Sequence, residues 1–261
     1  MLAAAEERTE KISLLVFHCF ALPTKQMLEI FKKTGTGAHY IIKQDGAVVK
    51  LVDEKMIAYH AGISSWREFK DSINAKSIGI ELQNSVMGNK AYTKPQIESL
   101  ITLSQSIIQR YQIKPQNIVG HSDIAPFRKP DPGKKFPWKT LAKEGIGLWK
   151  DEGDYSAQTK VLSKNKIEEL LQTIGYNTLD LTASLYAFVM RFMPQKIEAD
   201  SDIIQKEASV FEYWRAIKPA EVNKAVLSAP KIYPPEAENL LKDAEVSAHL
   251  SEIAEAYKKG V

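Results

Sequence analysis

The sequence predicts an α/β fold, a mixed central sheet flanked by helices, followed by a C-terminal all-helical module. Two observations carry this. Up to about residue 150, short apolar runs bounded by turn residues alternate with stretches of helical periodicity, the pattern of a mixed α/β domain. Beyond Trp149 the strand signal disappears and only helical spacing remains.

Each element has its own warrant. Ser13 to Phe17 (SLLVF) is a short, bounded apolar run and reads as a buried strand ending at His18. Met27, Leu28, Ile30 and Phe31 mark a short helix that stops near Gly35 and Gly37. Tyr40 to Lys43 and Ala47 to Val52 flank "QDG", a hairpin turn signal. Ser77 to Leu82 (SIGIEL) is a second buried strand. "TKPQ", Thr93 to Gln96, has the form of a capping box with Pro95 in the first turn. The helix it opens places Ile97, Leu100, Ile101, Ser104, Ile107 and Ile108 on one face. Ile118 and Val119 form a brief strand leading into Gly120 and His121.

"KDEGDYSAQTK", from Lys150, is polar and reads as a linker. Ile167, Leu170, Leu171 and Ile174 then repeat at helical spacing up to Gly175, a C-cap residue. Leu185, Phe188, Val189 and Phe192 do the same before Pro194. Ala208 to Ile217 and Pro235 to Lys259 also read as helical. The expected division is an α/β domain over 1–152, a helical domain over 153–200 and a helical extension over 201–261.

Composition excludes several classes. A hydrophobic content of 44% and a charged content of 26% belong to an ordinary globular protein. A net charge of +3 is too small to imply a nucleic-acid partner. The single cysteine, Cys19, excludes an internal disulfide framework. No apolar run approaches the roughly 20 residues that a membrane span needs. The start, MLAAAEERTEK, lacks a signal peptide's basic region and apolar run. That leaves a cytosolic protein or one whose export signal has been removed.

Five histidines are present, and His18 and His121 close two of the predicted strands. A lone histidine is more often a satisfied structural group than a ligand. Two at equivalent strand ends, with an aspartate in a proline-stiffened loop, change that balance. Catalytic zinc sites use three protein ligands and leave a fourth position for water. Asp123 is only two residues from His121 and would have to curl back on its own backbone. Asp131, with Pro126, Pro130 and Pro132 fixing the loop's path, can return across the site. Asp123 then caps or orients the loop. Glu81 is out of place in the apolar run Gly79 to Leu82, and reads either as a lysine's ion-pair partner or as a general base near the metal. Lys129, read alone, is a solvated loop charge.

Five segments, "LLVFHC", "AHYIIKQDG", "AYHAGISSW", "SIGIEL" and "GHSDIAPFRKPDPGKKFPW", occur here in one order and spacing. Together they resemble the type 2 N-acetylmuramoyl-L-alanine amidases, the zinc amidase family that includes the peptidoglycan recognition proteins and phage amidases. The resemblance covers about residues 12 to 150. Within the family the chain looks most like the bacterial two-domain amidases of the outer-membrane type. "IEELLQTIGY" and "LYAFVMRFMP" resemble the helices of their small peptidoglycan-binding-like domain.

The resemblance implies one zinc ion held by His18, His121 and Asp131, with Glu81 as catalytic acid–base and Lys129 stabilising the oxyanion. It implies structural or substrate-contacting roles for His39 and His60 around the cleft, a substrate contact from Trp66, and peptidoglycan or a muropeptide as partner. It further implies a monomer in the periplasm or at the outer membrane, with a cytoplasmic recycling amidase for anhydro-muropeptides and a non-cutting peptidoglycan-recognition protein as alternatives. Two departures stand out. Ala38 replaces a tyrosine found in some relatives, and Phe127 fills a loop position often small or polar, where it would reshape the sugar pocket. Cys19 is not the cysteine ligand of the recognition proteins, since Asp131 takes that place, and it reads as a packed thiol. Tyr176, Tyr186 and Trp214 read as core aromatics or as sugar-stacking rings.

Overall fold

The structure is a computed structural model, and it describes residues 6–70, 72–155 and 160–260. Residues 1–5 of the N-terminal stretch and 156–159 of the polar linker lie outside this set.

Seven residues, Leu14–Phe20, form β1, and all are buried. The strand runs two residues past His18 because Cys19 and Phe20 continue the pairing, opposite Leu82 and Gln83. His18 therefore sits inside the sheet, which holds it more rigidly than a strand end would. Thr24–Thr34 form α1, closed at Gly35 by an N–H to the Phe31 carbonyl. β2 (Tyr40–Ile42) and β3 (Val48–Lys50) are the predicted hairpin, antiparallel, with Ile41 opposite Val49. A four-residue helix, α2 (Ile73–Lys76), leads into β4 (Ser77–Gln83).

The 18-residue helix α3 (Lys94–Tyr111) opens on the predicted capping box, with Thr93 and Gln96 satisfying each other's backbone N–H groups. β5 (Ile118–Gly120) runs directly into the single turn α4 (His121–Ile124), and α5 (Trp138–Lys143) ends this half of the chain. The sheet order is β3-β2-β4-β1-β5, with β1 parallel to both β4 and β5, β2 parallel to β4, and only β3 antiparallel. This is the expected mixed sheet.

The C-terminal part has helices and no strand among its described residues. It comprises α6 (Lys164–Ile174), α7 (Leu181–Phe192), α8 (Ile203–Arg215), α9 (Val222–Ser228) and α10 (Ala244–Lys259), with a 3₁₀ segment over Pro235–Lys242. In α7 every residue from Thr182 to Phe192 is buried, so it is a core helix packed on all sides.

One apolar core joins both parts, running from Leu14, Val16 and Ile80 to Leu185, Phe188 and Leu250. Trp66 is its clearest joint, with its ring against Tyr176 and Tyr257 and its indole N–H donated to the Gln116 carbonyl.

Candidate metal centre and active site

The centre of the sheet sets the first spacing. Parallel pairing puts His18 in register with Glu81, and in-register residues of neighbouring strands project from the same face. The second spacing comes from the loop after β5. Gly120 allows Pro132 to fold back onto the strand end, since a Cβ there would lie 2.6 Å from the Pro132 Cδ. The Ser122 N–H then donates to the Asp131 carbonyl at 2.8 Å, and the Tyr92 hydroxyl donates to that of Pro132 at 2.7 Å. Ten residues of chain are thereby closed into a frame that returns Asp131 to His121.

His18, His121 and Asp131 come together. The Nδ1 atoms of the two histidines are 2.9 Å apart, and Asp131 Oδ2 lies 3.1 Å from His121 Nδ1 and 3.4 Å from His18 Nδ1. All three side chains are buried.

The far ring nitrogens fix the tautomers. The Ser77 hydroxyl donates to the Ile73 carbonyl, so its oxygen accepts from His60 Nε2. That leaves His60 Nδ1 as the acceptor for His18 Nε2, 2.9 Å away. His121 Nε2 faces the Ala61 carbonyl at 3.2 Å and Arg128 Nη2 at 3.3 Å; that Arg128 nitrogen places its two hydrogens on the Ala61 and Ile63 carbonyls, so His121 Nε2 is the donor to Ala61. In both rings, then, Nδ1 is the unprotonated nitrogen, and two imidazole lone pairs converge with a carboxylate oxygen on one spot. Such a group repels itself unless a cation sits among its members. Two neutral imidazoles and one carboxylate are a common donor set for catalytic zinc. The residues fit a metal ion.

The protonation states agree. Burial drives His121 down to about 3, against the opposing charge of Asp131. Burial, helped by neighbouring His18, holds His60 well below its ordinary value. Burial alone would raise the Asp131 carboxyl, yet the imidazoles on it hold it well below the usual carboxylate range. The Gly79 backbone makes room for the His60 ring, which would lie 2.7 Å from any Cβ at that position. This outer layer, in which His60 orients His18, is invisible in the sequence.

Glu81 is 8% exposed and its Oε2 has no hydrogen-bond partner among the described residues. Burial and the charge of Asp131 push its pKa well above the ordinary value, opposed by Lys129. A buried carboxyl with raised proton affinity beside a metal cluster can accept a proton from water. The sequence left open an ion pair with a lysine, and no such contact to Glu81 is present among the described residues. The Lys129 ammonium instead meets Glu207 Oε1 of α8 at 2.5 Å and lies 5.6 Å above the Phe211 ring. Nothing in the sequence links Glu207 to this loop.

The second aspartate is a structural hub. Asp123 Oδ2 accepts from the Gly120 N–H at 2.8 Å and from Arg191 at 2.5 Å, and Oδ1 accepts from the Tyr176 hydroxyl at 2.7 Å. Arg191 stacks 3.9 Å over the Trp138 ring and donates to the Ile118 carbonyl. Asp123 orients the loop, as its spacing suggested, but two of its three partners, Arg191 and Tyr176, come from the C-terminal part.

Two of the motif residues linked to substrate or structure lie in the core. Trp66 is fully buried with its N–H satisfied, so it offers no surface to a ligand. His39 is fully buried too, with Nδ1 accepting from the Gly79 N–H and Nε2 facing the Met56 carbonyl, and burial lowers it to about 4. Phe127, expected to reshape a sugar pocket, is covered by Trp214 at 5.2 Å between ring centroids. Tyr176, Tyr186 and Trp214 are buried core aromatics, and Cys19 is a buried thiol 3.7 Å from the Pro132 carbonyl oxygen.

Residues 8–134 match the family model described as N-acetylmuramoyl-L-alanine amidase. The chain is 35% identical over 224 residues to the N-acetylmuramoyl-L-alanine amidase AmiD of Escherichia coli (strain K12), a match covering 76% of this chain and 81% of AmiD. It is 44% identical over 101 residues to the 1,6-anhydro-N-acetylmuramyl-L-alanine amidase AmpD of Enterobacter cloacae, covering 39% of this chain and 52% of AmpD. Among solved structures, the complex of E. coli AmiD with anhydro-N-acetylmuramic acid-L-Ala-D-gamma-Glu-L-Lys aligns with a TM-score of 0.66 at 32% identity, over 81% of this chain and 92% of the other. AMPDH3 from Pseudomonas aeruginosa aligns with a TM-score of 0.65 at 29% identity, over 85% and 91%. A buried histidine–aspartate cluster on a mixed sheet, and likeness to AmiD along most of both chains, lead to one conclusion: this protein belongs to the N-acetylmuramoyl-L-alanine amidase family.

Proposed function

We propose that this protein hydrolyses the amide bond between N-acetylmuramic acid and the L-alanine of the stem peptide, in peptidoglycan or in muropeptides released from it, with one zinc ion held by His18, His121 and Asp131. The observation that carries the reading is the convergence of two histidine Nδ1 atoms and a carboxylate oxygen in one buried place. Zinc bound there would polarise the amide carbonyl and lower the pKa of the attacking water toward about 7. Glu81 takes the proton from that water and passes it to the leaving nitrogen of L-alanine. The Lys129 ammonium donates to the oxygen of the attacked carbonyl as negative charge grows on it, a contribution typically of about 3–4 kcal/mol per donor. His60 holds His18 in the tautomer that presents Nδ1.

Incubation of purified sacculi and of anhydro-muropeptides with the protein, read by mass spectrometry, tests this. Free stem peptides should appear alongside intact amino sugars. A chelator should abolish the release and added zinc should restore it. Release that persists at full rate after the metal is stripped would exclude the zinc mechanism.

The division at about 152 and 200 remains our proposal for the domain plan, with the middle part resembling a peptidoglycan-binding-like domain. We place the enzyme with the cell wall, in the periplasm or at the outer membrane, and as a monomer, because its likeness extends across AmiD and beyond the catalytic part. No helix among the described residues is long and apolar enough to cross a membrane.

A further inference from the structure

We propose that Glu207, on α8 and outside the part of the chain that matches the amidase family model, is a latch on the active site: its ion pair with Lys129 holds α8 over the loop that also carries Asp131, so that uncovering the site and freeing the lysine are one event. The inference rests on the amidase reading above.

Three observations carry it. The proposed reacting groups are all covered: His18, Glu81, His121 and Asp131 are each buried, and the Lys129 side chain is 14% exposed. An N-acetylmuramyl peptide cannot reach them until something moves aside. What lies over Lys129 is α8. Glu207 Oε1 sits 2.5 Å from its ammonium, Phe211 presents its ring at 5.6 Å, and Trp214 stacks on Phe127 of the same loop. Lastly, the charge of Glu207 is felt at Glu81 and at buried Arg128, which places it within the electrostatic reach of the site.

The chemistry follows from charge balance. A lysine stabilises an oxyanion by its net positive charge, and a carboxylate in contact cancels most of it. While the pair is closed, Lys129 has little to offer a substrate oxygen. Substrate binding must therefore displace Glu207 from Lys129, and the cost of breaking a partly desolvated pair is carried by the apparent affinity.

Glu207→Gln keeps the shape of the side chain and removes its charge; Glu207→Asp keeps the charge. Both are made in the full chain and assayed for kcat and KM on a purified anhydro-muropeptide. Glu207→Gln should lower KM by about fivefold, the size of a partly exposed ion pair, with kcat within about twofold of wild type. Glu207→Asp should behave as wild type within the same margin. Phe211→Ala, which truncates a side chain 44% exposed, should lower KM in the same direction. A Glu207→Gln enzyme with unchanged KM, whether or not its Tm falls, would reduce the pair to a structural contact and overturn the proposal. A fall in kcat at constant KM would overturn it as well, by making Glu207 a support for Lys129. If wild type itself releases no stem peptide, the amidase reading fails instead.

Discussion

Glu81 has an identity that differs from its neighbours' for a reason written in its surroundings. It stands among Ile78, Ile80 and Leu82, all fully buried, where an acid is costly unless its proton affinity is wanted. Glu81→Ala should leave stoichiometric zinc bound, measurable by atomic absorption, while amide cleavage falls by about 10²- to 10⁴-fold, the usual range for a general acid–base. Full activity in that variant would remove Glu81 from the mechanism. The buried imidazoles set a pH dependence. His39 and His249 are each lowered from 6.5 to about 4, chiefly by burial. The unfolded chain binds protons at both positions as pH falls through 6.5, and the folded one does not until about 4. Their contribution to stability is therefore present above pH 6.5 and is lost progressively between 6.5 and 4. Melting curves of the metal-free protein should show Tm dropping over that interval. At this scale the sequence showed a great deal. The spacing of His18, His121 and Asp131 and the misplaced acid Glu81 are local facts. The motifs left the places of Trp66 and His39 open, because a motif aromatic and a motif histidine look alike whether they face a cleft or a core. Only Tyr176 and Tyr257, over a hundred residues away in the chain, decide it for Trp66.

Among the elements, α7 is the one whose role could least be foreseen. Its run "LYAFVMRF" announces a buried helix, and Arg191 looks like a blemish on it. In the fold that arginine reaches Asp123 at the base of the loop bearing two of the proposed ligands. Both members of the pair are almost fully buried, so removing one strands the other. Arg191→Met should destabilise by about 3–5 kcal/mol in chemical denaturation and weaken zinc retention during dialysis. An unchanged midpoint would show that the loop holds its shape unaided. Element boundaries moved for local reasons. β1 lengthened because β4 offered partners as far as Gln83, and the helix read over Pro235 to Lys259 divides where Asp243 caps α10.

Across the whole molecule, the two parts that differ so clearly in sequence texture share one apolar interior. Texture reports secondary structure, and it carries no information on which helix faces which sheet. Deleting residues 153–261 would uncover Trp66, strip the Ile118 carbonyl of its Arg191 donor and leave Asp123 without Arg191 and Tyr176. The truncated chain should therefore be insoluble or melt well below the intact protein. A soluble fragment with native Tm would mean that the catalytic part is self-sufficient. Loss of sacculus binding on truncation would have to be read together with that melting curve.

The register that sets His18 beside Glu81 has a consequence for how such a protein can change. Their separation is fixed by backbone hydrogen bonds between adjacent strands, so no loop exchange, insertion or shuffled helix alters it. A single-residue slip in either strand would turn one of them to the opposite face and abolish the pair outright. The sheet thus holds His18 and Glu81 as one unit, the loop after β5 holds His121, Lys129 and Asp131 as another, and only positions outside both can be varied without touching the proposed cleavage step. A library aimed at altered substrates should leave residues 14–20, 77–83 and 120–133 untouched and diversify α8 around Phe211.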